Sequence, residues 1–331
     1  MLSKILNYIR VLRGLLRVKT YYLIILYYLV GYLIFDTSNI SNLKLSLKFC
    51  LSAMVIALWY INGTSLNDYA DQEIDKINLK KTHERPLLEK AVSRKQILVV
   101  SVFSAAMSLI FSLMISKEVM LITTAFIFLN IIYSLKPFEV SHKGELAILL
   151  LPLGYVVFPI LLGVYSTGNT LNSFAIVLIC ALYLQFISRI ILKDYRDVKG
   201  DARFGKKTFL LKYGNKLTCR VAQLSLGAGI IVQAYIFYTE LIYILIGIFL
   251  LSGYCFEMLS VLMNKKKWSD QKAYISSIGR AQTGNLVITG LSLDLLHRGI
   301  HGVGMLLVSA IVGGVFLRSA RMTLRLSRAK A

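Results

Sequence analysis

Long apolar runs separated by short polar breaks dominate the chain. A helix needs about 20 residues to cross a hydrocarbon core. Read with a window of that length, the runs fall at about 20–35, 43–66, 96–116, 119–135, 145–166, 171–192, 218–238 and 241–263. A further apolar region extends from about 283 to 317 and is interrupted by Asp294, His297 and Arg298. It reads either as one span with a polar break or as two short spans. The pattern predicts an all-α polytopic membrane protein with about nine transmembrane helices, or ten if the last region is split.

Composition supports this reading. Of 331 residues, 56% are hydrophobic, and the mean hydropathy of +0.65 is too high for an ordinary soluble domain. The net charge of +21 raises nucleic-acid binding as a function, but its distribution argues against that. Lys and Arg gather in alternate connections, at 1–19, 76–95, 193–220 and 265–280, while those near 36–42, 116–118, 166–170 and 239–240 are short and poor in cations. Such alternation is the positive-inside pattern, which places the N-terminus on the cytoplasmic side. Residues 318–331 form a basic tail with Arg318, Arg321, Arg325, Arg328 and Lys330, favouring the same side and an even number of spans. Residues 1–19 carry Lys4, Arg10, Arg13 and Arg17 between apolar positions at helical spacing, as in an amphipathic helix on an anionic leaflet or a basic flank of the first span. With five cations and no long apolar core, they do not read as a cleavable signal peptide.

The chemistry concentrates in two acidic stretches that close apolar runs and precede basic residues. In the first, Asn67, Asp68, Asp71 and Asp75 fall within about 100° of a helical wheel, and Glu73 lies on the opposite side. In the second, Asp194, Asp197 and Asp201 share about 60° of arc, while Arg196 and Lys199 point elsewhere. Asp71 and Asp197, like Asp75 and Asp201, stand 126 positions apart, which suggests an internal repeat. Carboxylates crowded on one face repel one another unless a cation lies between them. Oxygen-only ligands suit Mg²⁺, which is normally shared with substrate phosphates. Both stretches fall on the cytoplasmic side in the charge pattern.

Other residues qualify this picture. Asn62, Thr64 and Ser65 are costly facing lipid and should face the interior. The loop with Lys76, Lys80, Lys81, His83, Glu84 and Arg85 is either a solvated connection or a lid whose cations meet a diphosphate; Lys136 and Lys193 are further candidates for phosphate oxygens. Tyr133 is an interface aromatic or a cavity wall. With Phe138, it offers an aromatic face to an allylic cation. Arg189 either snorkels or pairs with an anion in the cavity, and Glu257, if buried, needs a partner or a proton. Cys50, Cys180, Cys219 and Cys255 read as small apolar fillers. His297 and His301 lack a third ligand and are interrupted by Gly299 and Gly302.

Carboxylates with Mg²⁺ would bind a diphosphate and make it a leaving group. A substrate that is both diphosphate and very apolar would enter from the bilayer, as a polyprenyl diphosphate does. The paired stretches resemble the signature motifs of the UbiA superfamily of intramembrane prenyltransferases. Arg85-Pro86, Tyr133-Ser134 with Pro137, Gly205-Lys206-Lys207-Thr208 and Tyr213-Gly214 are also similar to family features. The resemblance covers about residues 20–290. It implies a single transmembrane domain, 20–317, with two four-helix halves (about 20–135 and 145–263) around a central cavity open to lipid. It also implies Mg²⁺ and a prenyl diphosphate held by Asn67, Asp71, Asp75, Asp194, Asp197 and Asp201, with an electron-rich acceptor attacking the prenyl carbon. An aromatic, quinone-type acceptor is the first expectation. Prenylation of a glycerophospholipid precursor and phosphoribosyl transfer to a polyprenyl phosphate are the alternatives on the same fold. A cation-binding transporter is the alternative of another class, weakened because its acids would sit at a rim rather than near the midplane.

Overall fold

The computed structural model describes the backbone of residues 2–35, 42–79, 85–238, 242–266 and 268–329, and their side chains except for 2–8, 42–46, 268–270 and 327–329. Lys80, Lys81, His83 and Glu84 of the expected lid lie outside the described residues. Helix α1 (Leu2–Leu16) leads into α2 (Val18–Leu33) through Arg17, whose left-handed backbone (φ 42°) turns the chain. Next come α3 (Asn42–Ala70), the short α4 (Gln72–Asn78), α5 (Arg94–Ile115) and α6 (Lys117–Ser134). A capping box of Ser93 and Gln96 starts α5. Ser116 both closes α5 and caps α6 by accepting from Val119 N, so this hairpin turns on one residue.

The second part begins with α7 (Gly144–Pro152) and α8 (Phe158–Ser166), joined by a π-type turn at Leu153–Val157 into one span. It continues with α9 (Ser173–Ile190), α10 (Asp194–Arg203), α11 (Phe209–Phe237) and α12 (Leu245–Leu262). Last are α13 (Trp268–His297) and α14 (Val303–Ala329). Among the described residues, eight helical segments are long and apolar enough to cross a membrane. Alongside them run α2, which is shorter, and α13, which is long but polar.

Lipid is as apolar as the side chains that face it, so close packing and internal hydrogen bonds hold such a bundle together. Gly31 of α2 meets α8 so closely that a Cβ there would lie 2.1 Å from Ile160 O; one at Gly163 would lie 2.3 Å from Tyr28 O. In the first part Asn62 donates to Ser101 Oγ (2.9 Å) and accepts from Asn130 (2.9 Å). In the second, Gln185 donates to Gln233 (2.7 Å), which donates to Thr289 (2.8 Å). Each such bond contributes about 0.6 kcal/mol. Asn62, Thr64 and Ser65 are buried, as their polarity requires. The outer surface carries Val102, Phe103, Leu224, Ile231 and Ile311.

Several expectations are corrected. The C-terminal apolar region belongs to two long helices, not to short spans. Helix α13 begins well before residue 283, within the stretch expected to be a loop, because Ser277, Gln282, Asn285 and Thr289 are buried against neighbouring helices. The expected tail continues α14. His297 bonds to Leu33 O and Arg298 to Asp294, while positive φ at Gly299 and Gly302 makes the break between the helices. Glu257 is exposed on the outer face of α12 near its C-terminal end rather than buried. Cys219 and Cys255 are buried fillers, whereas Cys50 and Cys180 are exposed. The apolar side of α1 packs on protein: Val11 and Leu15 join Ile61, Leu87 and Ile97, and Thr64 donates to Leu15 O (2.8 Å).

Candidate active site

The first acidic stretch begins at the end of α3 and runs into α4. The backbone bends at Asp71 (φ −94°, ψ 14°), yet the helical bonds continue: Asp71 N donates to Asn67 O and Asp75 N to Asp71 O, both at 2.8 Å. Asn67, Asp71 and Asp75 therefore keep one facing, and all three line the same cavity. Glu73 points outward and pairs with Lys76 at 2.6 Å. The second stretch opens α10, where Asp194, Asp197 and Asp201 line that cavity too.

Contacts between the motifs hold α4 against α10. Asn78 Oδ1 accepts from Gly200 N (2.6 Å) across the two helices. Lys206 Nζ lies 2.9 Å from Asp71 Oδ2 and 4.0 Å from Asp201 Oδ1, so one ammonium links the two acidic sets. The segment before α7 is tied to the segment before α11 by Gly144 N to Lys207 O (2.9 Å) and Lys207 N to His142 O (3.2 Å). That tie sets His142 Nε2 3.7 Å from Asp71 Oδ1.

The resulting cavity has a volume of about 1340 Å³. Its acidic end also presents Arg85, Lys193 and Lys206, and one stretch of its wall is aromatic, with Trp59, Phe126, Tyr155 and Phe186. Lys193 donates to Tyr133 Oη at 2.6 Å, and its ammonium lies 5.3 Å from the ring centre. Tyr133 thus belongs to the cavity wall.

The charges at the motif junction are unequal. Burial pushes the Asp71 carboxyl up, but the His142 ring and Lys206 ammonium outweigh it and leave Asp71 below the usual carboxylate range. Burial and the charge of Asp71 push Asp75 up to about 7. The charges of Arg17 and Arg196 oppose this rise without cancelling it. Burial works against the charge on Lys206, and Asp71 holds it above the usual lysine range.

Three candidates of the sequence reading are not on the cavity. Asp68 is 2% exposed and turned away, paired with Arg17 (2.6 Å) and Arg85. Its wheel position, about 100° from Asn67, puts it on the flank of the cluster rather than its centre. There it is the counter-ion of two arginines. Lys136 and Phe138 follow the end of α6, whose last helical residue is Ser134; both are exposed and neither lines the cavity. Arg196, expected to point elsewhere, lines the cavity and binds Asp197 at 2.8 and 2.9 Å. The sequence reading left Arg17, Asn78 and His142 unassigned at the site. Their contacts join segments distant in sequence, which helical periodicity does not report.

The donor set suits a hard cation. Asp71 Oδ1 is buried without a hydrogen-bond partner at the acidic end. Among the described residues no group of three His, Cys, Asp or Glu side chains forms a ready-made metal cage. That arrangement fits Mg²⁺, which is typically bound by one or two carboxylates plus substrate phosphates and water.

The model of the UbiA prenyltransferase family matches residues 24–280. The chain belongs to this family. Digeranylgeranylglyceryl phosphate synthase of Pyrococcus horikoshii is 29% identical over 177 residues, 54% of this chain and 61% of the relative. The chain thus spans about three-fifths of the length of the curated relatives it matches. A solved structure of digeranylgeranylglyceryl phosphate synthase has a TM-score of 0.63 at 21% identity and covers 90% of this chain and 98% of its own. A UbiA homolog from Archaeoglobus fulgidus bound to GPP and Mg²⁺ also has a TM-score of 0.63, at 17% identity, covering 85% and 98%. At these identities the likeness of the UbiA structures establishes the all-helical fold.

Proposed function

We propose that the protein is a Mg²⁺-dependent intramembrane prenyltransferase that moves a polyprenyl group from its diphosphate to a lipid acceptor and releases pyrophosphate. The observation that carries this reading is the meeting of two carboxylate sets at one end of a cavity that also has an aromatic wall of Trp59, Phe126, Tyr155 and Phe186. A hydrophilic diphosphate fits the acidic end only with a cation, and an isoprenoid chain fits against the aromatic wall. Asn67, Asp71, Asp75, Asp194, Asp197 and Asp201 would hold the metal. When bound, Mg²⁺ would neutralise the diphosphate and stabilise it as a leaving group.

The chain's own side chains supply the remainder. Lys193 and Arg85 line the acidic end and offer N–H donors to phosphate oxygens. Lys206 holds Asp71 in place and keeps the two motifs together. The Tyr133 ring, oriented by Lys193, stands where it can face positive charge developing on the prenyl carbon. The apolar walls exclude water, which would otherwise capture that carbon.

The sequence reading ranked an aromatic quinone-type acceptor first. The names of the relatives favour a prenylated glyceryl phosphate instead. The alternation of cationic connections supports a cytoplasmic position for the motifs.

The test uses the full chain in mild detergent, supplied with prenyl diphosphates of graded length and both acceptor classes, and reads products by mass spectrometry. The expected result is an ether of the glyceryl phosphate, formed with Mg²⁺ and absent in chelator. Conversion of aromatic acceptors alone would replace the acceptor class. Cation flux without pyrophosphate release would favour a transporter.

A further inference from the structure

Arg189 is a cation that the reaction scheme above does not use. It lies on α9, one turn before Lys193, and lines the same cavity. Instead of snorkelling to the end of its helix, it turns sideways to α13. There its Nη1 donates to Gly279 O at 3.0 Å and to Thr283 Oγ1 at 2.9 Å. Both partners are neutral. Four other cations at the cavity are matched by carboxylates: Arg17 by Asp68, Arg85 by Asp68 and Asp75, Lys206 by Asp71 and Arg196 by Asp197. Among the described residues no carboxylate pairs with Arg189, and its Nε and Nη2 make no protein hydrogen bond.

A guanidinium inside a membrane bundle is costly unless it meets an anion. Two neutral acceptors orient the group but leave its charge uncompensated. The wall around it has the opposite character to the metal end: the cavity-lining residues of α13 and α14 include Ser276, Arg280, Gln282, Thr283 and Thr323, and none is acidic. Arg280 is likewise bound to a neutral group, Ser319 Oγ at 3.1 Å. The cavity, at about 1340 Å³, also exceeds the roughly 300–1,000 Å³ of a single-ligand pocket.

We propose that Arg189 binds the anionic headgroup of the acceptor, a phosphate monoester on a glycerolipid, at a second anion site apart from the carboxylate end that takes the donor. The free edge of the guanidinium presents Nε and Nη2 in the fork geometry that matches phosphate oxygens. Its bonds to α13 fix the direction of that fork. The helix register puts Arg189 about one turn, or ~6 Å, from Lys193, so an acceptor held there would lie beside the diphosphate rather than on it. The inference rests on the reading of the protein as a prenyltransferase with a lipid acceptor, and it names the group that would select that acceptor.

Equilibrium binding separates the two proposals because it needs no turnover. The probes are a short-chain monoalkylglyceryl phosphate, the same monoalkylglycerol without phosphate, and an aromatic carboxylic acid, each added to the full chain in detergent. The wild type should bind the phosphate lipid more tightly than the alcohol. Arg189→Gln should weaken the phosphate lipid by about tenfold to a hundredfold, the usual contribution of charge-assisted bonds. It should leave the alcohol, and Mg²⁺-dependent binding of prenyl diphosphate, within about twofold; retained donor binding also shows that the variant is folded. Arg189→Lys keeps the charge without the fork and should fall between. Equal loss for phosphate lipid and alcohol, no loss for either, or loss confined to the prenyl diphosphate would each overturn the site. Arg189-dependent binding of the aromatic acid in place of the phosphate lipid would overturn the phosphate class. Failure of prenyl transfer itself would leave these binding results standing, so the two claims fail separately.

Discussion

Asp71, Glu73 and Asp75 lie within five residues of one another, yet the structure gives them different surroundings. Asp71 and Asp75 line the cavity, while Glu73 pairs with Lys76 at the exposed surface. A general effect of charge density would treat the three alike; a metal shell would not. Asp71→Asn and Asp75→Asn should each lower kcat/KM by orders of magnitude at saturating Mg²⁺, and Glu73→Gln should stay within several-fold of wild type, because an exposed pair contributes little. Asp68 makes a different case. Its removal leaves Arg17 and Arg85 without their closest counter-ion, so Asp68→Asn should destabilise the fold by about 3–5 kcal/mol. The Mg²⁺ concentration for half-maximal activity of the folded fraction should barely move. Thermal unfolding and a Mg²⁺ titration of the same sample check both statements. The sign of the pH effect follows from Asp75, whose carboxyl is raised to about 7. A proton competes with the metal for that carboxylate below this value, so apparent Mg²⁺ affinity should fall as pH drops from 8 to 5, approaching about tenfold per unit for one proton. Asp71, held low, stays ionised over this window. The dependence should weaken in Asp75→Asn, most clearly near pH 7, as measured by Mg²⁺ binding at fixed ionic strength.

At the scale of elements, some features were legible in the sequence and others were not. The facing of Asn67, Asp71 and Asp75 was legible because i to i−4 bonding continues through the bend at Asp71, which preserves the wheel. Lys136 and Phe138 were misplaced because the chain leaves the helix after Ser134, and helical periodicity says nothing beyond that point. Helix α13 was only half visible: its buried polar side chains bond to neighbouring helices (Gln282 to Ser188, Asn285 to Ser252, Gln233 to Thr289), and a hydropathy window reads them as loop. Arg17 and Asn78 act through contacts across the fold that no local pattern encodes. The close crossing of α2 and α8 gives this scale its own prediction. A side chain at Gly163 would meet Tyr28 O at 2.3 Å, a backbone atom that cannot swing aside. Gly163→Leu should therefore separate the helices and lower the melting temperature markedly. Gly253→Leu, where nothing lies within 4 Å, should leave it nearly unchanged.

At the scale of the whole molecule, α13 and α14 return the chain across the bundle and bring the basic end of α14 back towards the acidic motifs, as an even number of crossings requires. In a cysteine-free background, single cysteines at 203 and 326 should label from one side of a sealed vesicle and a cysteine at 168 from the other. Labelling of 326 with 168 would break this topology. The account as a whole rests on the two acidic stretches forming one metal-dependent site. Pyrophosphate release by the purified chain, with a prenyl diphosphate and a glyceryl phosphate lipid, tests that directly. The account predicts release that requires Mg²⁺, stops in chelator and is lost in both Asp71→Asn and Asp197→Asn. Release that persists in chelator, or that survives either substitution at the wild-type rate, would contradict it.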